Sequence, residues 1–509
     1  MQEQDRREAL TLLTSVFLVA ACGLIYELLL ATISSYLIGS SVTQFSLCIG
    51  VFIGAMGIGS YISQFVTTNL MRWFLTVEIL LAVVGGVSAW ALFGAYSYLG
   101  SIYYAALFLL IGLIGGLVGI ELPLLTRLLS QYGALKETIA QALSFDYVGS
   151  LLGSIAFPLV LLPALGMTRT AFVVGLLNLG IAVWNLKVFA PRLKSIRPPL
   201  VLCAFLAAFL ASGLVVADQA GRFFEKRLYD DEILFARQTP YQKIVVTRFR
   251  EDLRLYLDGN LQFSSLDEHR YHESLIHPAL SLAAVHESVL VLGGGDGLGV
   301  REVLKWPGVK QVVLVDIDPA MTKIARTYPS LRAQNAGALD DPRVTLVHED
   351  AFTYLNKTGA LFSVIIGDLP DPNSEALAKL YSREFYAMIR RHLAPGGMFV
   401  TQATSPLFSR DAFWCIERTV HAAGFATTPY HVYVPSFGDW GFVLARDSAT
   451  APKLTDTKLT GLSVKYLTDE LLPTLTVFDA DSKPTLVSAS TLDRPQVVRH
   501  YERGAKRWE

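Results

Sequence analysis

From Thr11 to about Val216 the chain repeats apolar runs separated only by short polar breaks. Runs of that length cannot all be buried in a water-exposed fold, but they suit a bundle of bilayer-spanning helices. From Asp218 onward, charges, His and turn residues return at the density of an ordinary globular domain. The overall figures, 52% hydrophobic and 17% charged over 509 residues, average two unlike halves. Seven segments, at 12–34, 45–66, 74–96, 103–125, 145–165, 170–190 and 199–217, are each long enough to cross about 30 Å of hydrocarbon as a helix. Small residues in "GVFIGAMGIGS" and "LIGLIGGLVG" let helices approach closely, which favours a packed bundle over separate anchors.

Three carboxylates, Glu27, Glu78 and Glu121, fall inside these spans or near their ends. They read either as a polar path through the bundle or as neutral, hydrogen-bonded packing residues, and the sequence leaves both open. The stretch Val19-Ala20-Ala21-Cys22 after Arg6 and Arg7 has the look of a lipoprotein signal, but the apolar run continues to Leu30, so a retained helix is expected. The four cysteines, at 22, 48, 203 and 415, have neither metal-like nor disulfide-like spacing, and no metal site is expected. A net charge of -1 gives no basic footprint for nucleic acid. Arg6, Arg7, Arg72, Arg127, Lys136, Lys187, Arg192, Lys194 and Arg197 all fall on one side of a seven-span topology, which favours a cytoplasmic N-terminus. Arg222, Lys226 and Arg227 after the last span argue for a cytoplasmic second half, so the side of that half stays open.

At "SVLVLGGGDGLGVREVLKW" (288–306) the text changes to strand, glycine-rich turn and helix, the order a nucleoside-binding α/β domain needs. "VKQVVLVDID" follows as a second strand ending in Asp316 and Asp318, where a carboxylate would meet ribose hydroxyls. A third strand, "VTLVHEDAF", ends at Asp350, and a fourth, "FSVIIGDLPDP", at Asp368 and Asp371. Any one of these acids could cap the next helix, but together they predict an acidic crevice along the carboxyl ends of a parallel sheet. Asp296 inside "GGGDG" puts an anion where a dinucleotide binder must accept pyrophosphate, so a sulfonium nucleoside with a free amine suits the site better. Upstream, "TPYQKIVVTR" (239–248) reads as a strand, and residues 253–280 as a hairpin through Asp258-Gly259 followed by a loop and helix. Tyr271, His272, Glu273 and His277 lie on that helix; ligand contacts or hydrogen bonds at the helix start are expected of them rather than zinc.

The segments "YQKIVV", "LYLDGNLQFSSLDEHRYHE", "LVLGGGDG", "VDID", "EDAF" and "GDLPDP" occur in the order seen in spermidine synthases, the polyamine aminopropyltransferases, and this resemblance covers about residues 238–445. The first half, through "GLIYELLL", "GIELPLLTRLL" and "DYVGSLLGSIAFPLVLLPALG", resembles the membrane domain fused to some bacterial members. The tail segments "YLTDELL" and "LDRPQVVRHYERGAKRW" look like the tails of the same fused group. The resemblance implies aminopropyl transfer from decarboxylated S-adenosylmethionine, a co-substrate and not a cofactor, to putrescine, giving spermidine and methylthioadenosine. By motif it implies Asp368 as the active-site carboxylate and Asp371 as an amine holder. Gln242, Asp316, Asp350 and Ala351 would contact the methylthioadenosine part, His272 and Asp296 the amines, and Tyr271 and Gln402 would line the pocket. Two departures concern the acceptor end. Val434 stands before Pro435-Ser436 where the family commonly has tyrosine, and "PNSEALAKLY" after Asp371 lacks the usual Gly-Pro pattern.

The expected architecture is therefore a polytopic transmembrane bundle over 1–217, a linker and hairpin-rich piece over 218–280, a Rossmann-like transferase domain over 281–446 and a tail over 447–509. The expected partners are a polyamine, a sulfonium nucleoside and the lipid bilayer of a bacterial cell membrane, with no nucleic acid; a homo-oligomer is compatible with the sequence. An S-adenosylmethionine-dependent methyltransferase, and a polyamine transporter or sensor with a ligand-binding synthase-like domain, stand as alternatives.

Overall fold

Apolar runs with few breakers form long helices, and the computed structural model, which describes residues 3–38, 41–99, 102–193, 195–229 and 231–508, divides into two units at residues 230 and 231. Lys194, counted among the loop charges above, lies outside the described residues. The first unit consists of α1 (Glu3–Ile38), α2 (Ser41–Ser63), α3 (Leu70–Leu99), α4 (Tyr103–Leu129), α5 (Leu135–Ala156), α6 (Leu162–Val188) and α7 (Arg197–Leu228). Helix α7 runs on past the expected limit at 217.

Among the described residues, 6 helices are long and apolar enough to cross a membrane, so the seven expected segments fall on six. One of the six is a run of 53 residues, Lys136–Val188. It holds both α5 and α6, joined through a π-helical turn at Phe157–Leu161 and broken at Gly166, where φ is 71°. The break reverses the chain. Gly149 and Gly153 lie against the backbone of Phe17 and Ala21, so α5 runs parallel to α1. Asn185 donates to the Ser15 hydroxyl, and against α3, which runs with α1, Phe172 meets Trp90 while Gly175 meets Ala82, so α6 returns antiparallel. The bundle is thus crossed seven times. At one end Tyr132 and Arg192 meet Glu8, and Arg127 donates to the carbonyls of Ser63 and Val66. At the other end Ser34, Gln44 and Tyr104 form a hydrogen-bonded chain. Glu78 and Glu121 are 0% exposed, and no carboxylate oxygen of either has a hydrogen-bond partner among the described residues.

The second unit opens with an antiparallel sheet of β1 (Glu232–Gln238), β2 (Lys243–Phe249), β3 (Asp252–Leu257) and β4 (Asn260–Ser264). Asp258 and Gly259 turn the β3–β4 hairpin with φ of 48° and 82°, as a two-residue hairpin turn demands. Helix α8 (Glu268–Leu282) leads to the main sheet of β5 (Ser288–Gly293), β6 (Gln311–Asp316), β7 (Val344–His348), β8 (Phe362–Asp368), β9 (Leu393–Gln402), β10 (Ala426–Val434) and β11 (Gly438–Arg446), ordered β10-β11-β9-β8-β5-β6-β7. Strands β5 to β9 pair in parallel, and β10 and β11 complete the edge antiparallel. Successive residues of β5 bury on opposite faces, Val289 and Val291 in one core and Leu290 and Leu292 in the other, so a continuous apolar run suits a strand covered on both sides.

The order reverses at β5, with β6 on one side and β8 on the other, and this opens a crevice beyond their carboxyl ends. The tail belongs to this unit's core. Leu454, Leu467 and Leu475 join one hydrophobic face, and Val497 and Val498 of the C-terminal helix Gln496–Ala505 join the other. Buried Glu273 accepts the backbone N–H groups of Lys465, Tyr466 and Leu467 at 2.6, 2.9 and 3.1 Å, fastening the tail to α8. Three backbone donors satisfied by one carboxylate make Glu273 a structural anchor. His277 is likewise structural, set between Glu302 and the Trp306 indole.

Candidate active site

The glycine-rich turn after β5 is squeezed between two acids. Gly293 and Gly294 take φ of 81° and 67°, and a Cβ on Gly294 would stand 2.7 Å from Asp368 Oδ2, so only glycine serves there. On the other flank, Gly295 N–H donates to Asp316 Oδ2 at 3.0 Å, and Asp318 N–H donates to Asp316 Oδ1 at 2.8 Å. Asp318 then caps the next helix through Ala320 N–H and receives Thr239 Oγ1 and Gln242 Nε2 at 2.8 and 3.1 Å, which ties the β1–β2 loop to the end of β6. Asp350 caps the helix Ala351–Lys357 through Thr353 N–H at 3.0 Å and pairs with Lys379 at 2.7 Å, with Ala351 buried beside it. The capping reading therefore describes Asp318 and Asp350, whereas the carboxylates of Asp316 and Asp368 cap no helix.

Asp368 ends β8 facing α8. Tyr271 donates its hydroxyl to Asp368 Oδ1 at 2.8 Å. His272, beside it, engages Glu268 through Nδ1 at 2.9 Å, and Glu268 also receives Arg301 at 2.8 Å. Burial raises the Asp368 carboxyl above its ordinary range, while the His272 charge and the Tyr271 hydrogen bond oppose that rise. Burial would lower His272, but its bond to Glu268 and the charges of Glu268, Asp296 and Asp368 outweigh it and hold the imidazole near a pKa of about 9. His272 is thus a cation at neutral pH, and a substrate ammonium beside it would meet like charge. The His272 charge also opposes the upward shift of Asp296 and Asp368.

Burial, the largest cause at each, lifts Asp296, Asp316 and Asp371 to about 6. Asp371 receives Gln402 Nε2 at 3.4 Å, and Gln402 also donates to the Leu369 carbonyl at 2.7 Å and to the Tyr381 hydroxyl at 2.5 Å. The structure thus brings Tyr271, His272, Asp296 and Asp368 into one cluster, and Asp371 and Gln402 into a second group on the same strand end. Gln242 and Asp350 bond to neither group. Among the described residues, no group of three or more His, Cys, Asp and Glu side chains is set to hold a metal ion.

Reading the residues alone missed the phenol on Asp371. Tyr501, from the C-terminal helix 130 residues downstream, donates to Asp371 Oδ2 at 3.0 Å. Nothing in spacing or periodicity signals that contact. Val434, which stands where the family commonly has tyrosine, is 0% exposed in the hydrophobic core. Glu268 and Arg301, which hold His272, were also unmarked in the sequence.

A family model described as the spermine/spermidine synthase domain matches residues 268–456. A polyamine aminopropyltransferase of Leptospira interrogans is 43% identical over 96% of this chain and 97% of the relative. Another, of Mycobacterium tuberculosis, is 44% identical over 99% of this chain and 98% of the relative. The chain belongs to the polyamine aminopropyltransferases. A solved spermidine synthase from Thermotoga maritima is similar at 27% identity and a TM-score of 0.45, over 49% of this chain and 85% of that one. The relatives match along nearly the whole chain, whereas the aminopropyltransferase domain model stops 45 residues short of Tyr501.

Replacing Tyr501 by Phe removes a hydrogen bond to a carboxylate and keeps the ring packing. Such a bond is worth enough to raise KM for the acceptor amine roughly ten-fold, with the donor KM unchanged. Steady-state kinetics with each substrate varied in turn checks this, and equal effects on both substrates would show that Tyr501 only supports the fold.

Proposed function

We propose that this aminopropyltransferase moves the aminopropyl group of decarboxylated S-adenosylmethionine to putrescine, at the crevice beyond β5 and β8, from a chain embedded in the cell membrane. The observation that carries the reading is the placement of Asp368 and Asp371 at one strand end. Each is buried enough to sit above its ordinary pKa, and each receives a phenol. A crevice of raised carboxylates, with its nearest imidazolium engaged by Glu268, favours cationic guests. Asp296 in the glycine turn disfavours a phosphate-bearing nucleotide, and the methionine carboxylate of a methyl donor would meet the same repulsion.

In the transfer, a neutral amine nitrogen attacks the carbon beside the sulfonium. The new N–C bond forms as the C–S bond breaks, and the bonding pair leaves with sulfur as a neutral thioether. The nitrogen then carries a proton that must go to a base or to water. Asp368, held by Tyr271 and with the His272 charge opposing its upward shift, orients the nucleophile and accepts that proton. Asp371, with Gln402 and Tyr501, holds the second, protonated amine of the acceptor. Asp316 faces the glycine turn, where a ribose would lie.

Product analysis by mass spectrometry, on full-length protein with decarboxylated S-adenosylmethionine and a panel of diamines and polyamines, tests this. Spermidine and methylthioadenosine are expected from putrescine, with turnover lowered roughly 10²- to 10⁴-fold by Asp368→Asn. Unchanged turnover in the variant would remove Asp368 from the chemistry, and preference for another amine would correct the acceptor.

Seven crossings and eight described Lys and Arg residues at one end of the bundle support a multi-pass membrane protein with a cytoplasmic N-terminus. The four native cysteines are buried, so single engineered ones report cleanly. On intact cells a membrane-impermeant maleimide should distinguish Gly133→Cys from Ser448→Cys, labelling one without permeabilisation and the other only after it. Labelling of both from one side would contradict an odd number of crossings.

A further inference from the structure

The packing contacts of the bundle place its buried polar side chains within about two helical turns of one another. Gly85 lies against the Tyr26 ring and α3 runs parallel to α1, so Glu78, two turns before Gly85, is level with Val19. Val118 packs on Gly23 and α4 runs antiparallel, so Glu121, one turn on, is level with Ala20. Asn185 meets Ser15 on antiparallel α6, which puts Asn178 level with Cys22. From Glu8, in the polar cluster at the bundle end, to Ala20 is about 18 Å along a helix, near the middle of about 30 Å of hydrocarbon. The two glutamates and Tyr26 are also close enough to act on one another electrostatically.

Glu78, Glu121, Asn178 and Tyr26 are each 0% exposed, and both glutamates, the Asn178 amide and the Tyr26 hydroxyl have no hydrogen-bond partner among the described residues. An ionised carboxylate in this setting needs a cation. Protonation alone does not settle the pair, since no oxygen of either acid has a hydrogen-bond partner among the described residues. No described salt bridge reaches either glutamate.

We infer that Glu78 and Glu121 form an intramembrane binding site for an alkylammonium cation, separate from the catalytic crevice. The set offers two carboxylates, a carboxamide and a phenol, from α1, α3, α4 and α6, spread over about two helical turns among the apolar clusters of the bundle. A hard metal ion requires several oxygens converging at about 2.4 Å. Amines on an alkyl chain instead suit acceptors spaced apart among apolar walls. The inference rests on the membrane-embedded reading of the bundle and not on the transferase chemistry, so the two can fail separately.

The test uses full-length protein in nanodiscs carrying Asp368→Asn and Asp371→Asn to silence the catalytic crevice, with radiolabelled spermidine as the probe. Saturable binding of one spermidine per chain is expected, weakened at least ten-fold by adding Glu78→Gln and Glu121→Gln. The same two Gln substitutions in the otherwise native chain should leave aminopropyl transfer intact, which shows that the protein still folds. In the native chain, carbodiimide modification mapped by mass spectrometry should reach Glu78 or Glu121, and spermidine should protect both. Absence of residual binding, binding unchanged by the Gln pair, or protection by sodium and not by spermidine would each overturn the proposal.

Discussion

Carboxylates withdrawn from water are the constraint on which this structure depends. In the catalytic unit, Asp296, Asp316, Asp368 and Asp371 are all lifted above their ordinary range by burial. A fold keeps such groups only where something over-determines their positions. Here the backbone N–H groups of Gly295 and Asp318 hold Asp316, two phenols hold Asp368 and Asp371, and the imidazolium of His272 stands beside Asp296 and Asp368. The crevice is poised for guests that bring positive charge with them, a sulfonium and protonated amines, and their arrival offsets the desolvation that the empty protein bears.

The elements that build this pocket come from well-separated stretches. The β5–β8 reversal supplies the acids, α8 supplies Tyr271 and His272, and the tail, fastened by Glu273, supplies Tyr501. A segment outside the matched family domain thus reaches Asp371. The tail's hydrophobic anchors, Val497 and Val498, explain how a distant helix can place one hydroxyl reproducibly.

Local patterns made much of this legible. Alternating burial on both faces of β5, the glycine turn and the acids at strand ends depend on neighbours in sequence, and they were readable as a parallel nucleoside-binding sheet. The hairpin at Asp258-Gly259 was readable for the same reason. What local pattern cannot carry is a partner chosen by tertiary packing. Tyr501 on Asp371, Arg301 under Glu268 and the three N–H groups on Glu273 are long-range contacts with no periodic signature. The boundary expected between the segments 145–165 and 170–190 falls at the Gly166 break inside one apolar helical run of 53 residues, so this reversal was legible too.

The central claim, that buried carboxylates of raised pKa receive the amine, is tested most directly by calorimetry of putrescine binding in buffers of different ionisation enthalpy. Asp371 and Asp296, raised to about 6, hold protons below that pH in the free protein, and a bound cation favours their ionised forms. Binding should therefore release protons near pH 6, release few at pH 8, and weaken as pH falls through about 6, with the release diminished in Asp371→Asn. Binding at pH 6 without proton release, and with the affinity found at pH 8, would contradict the account.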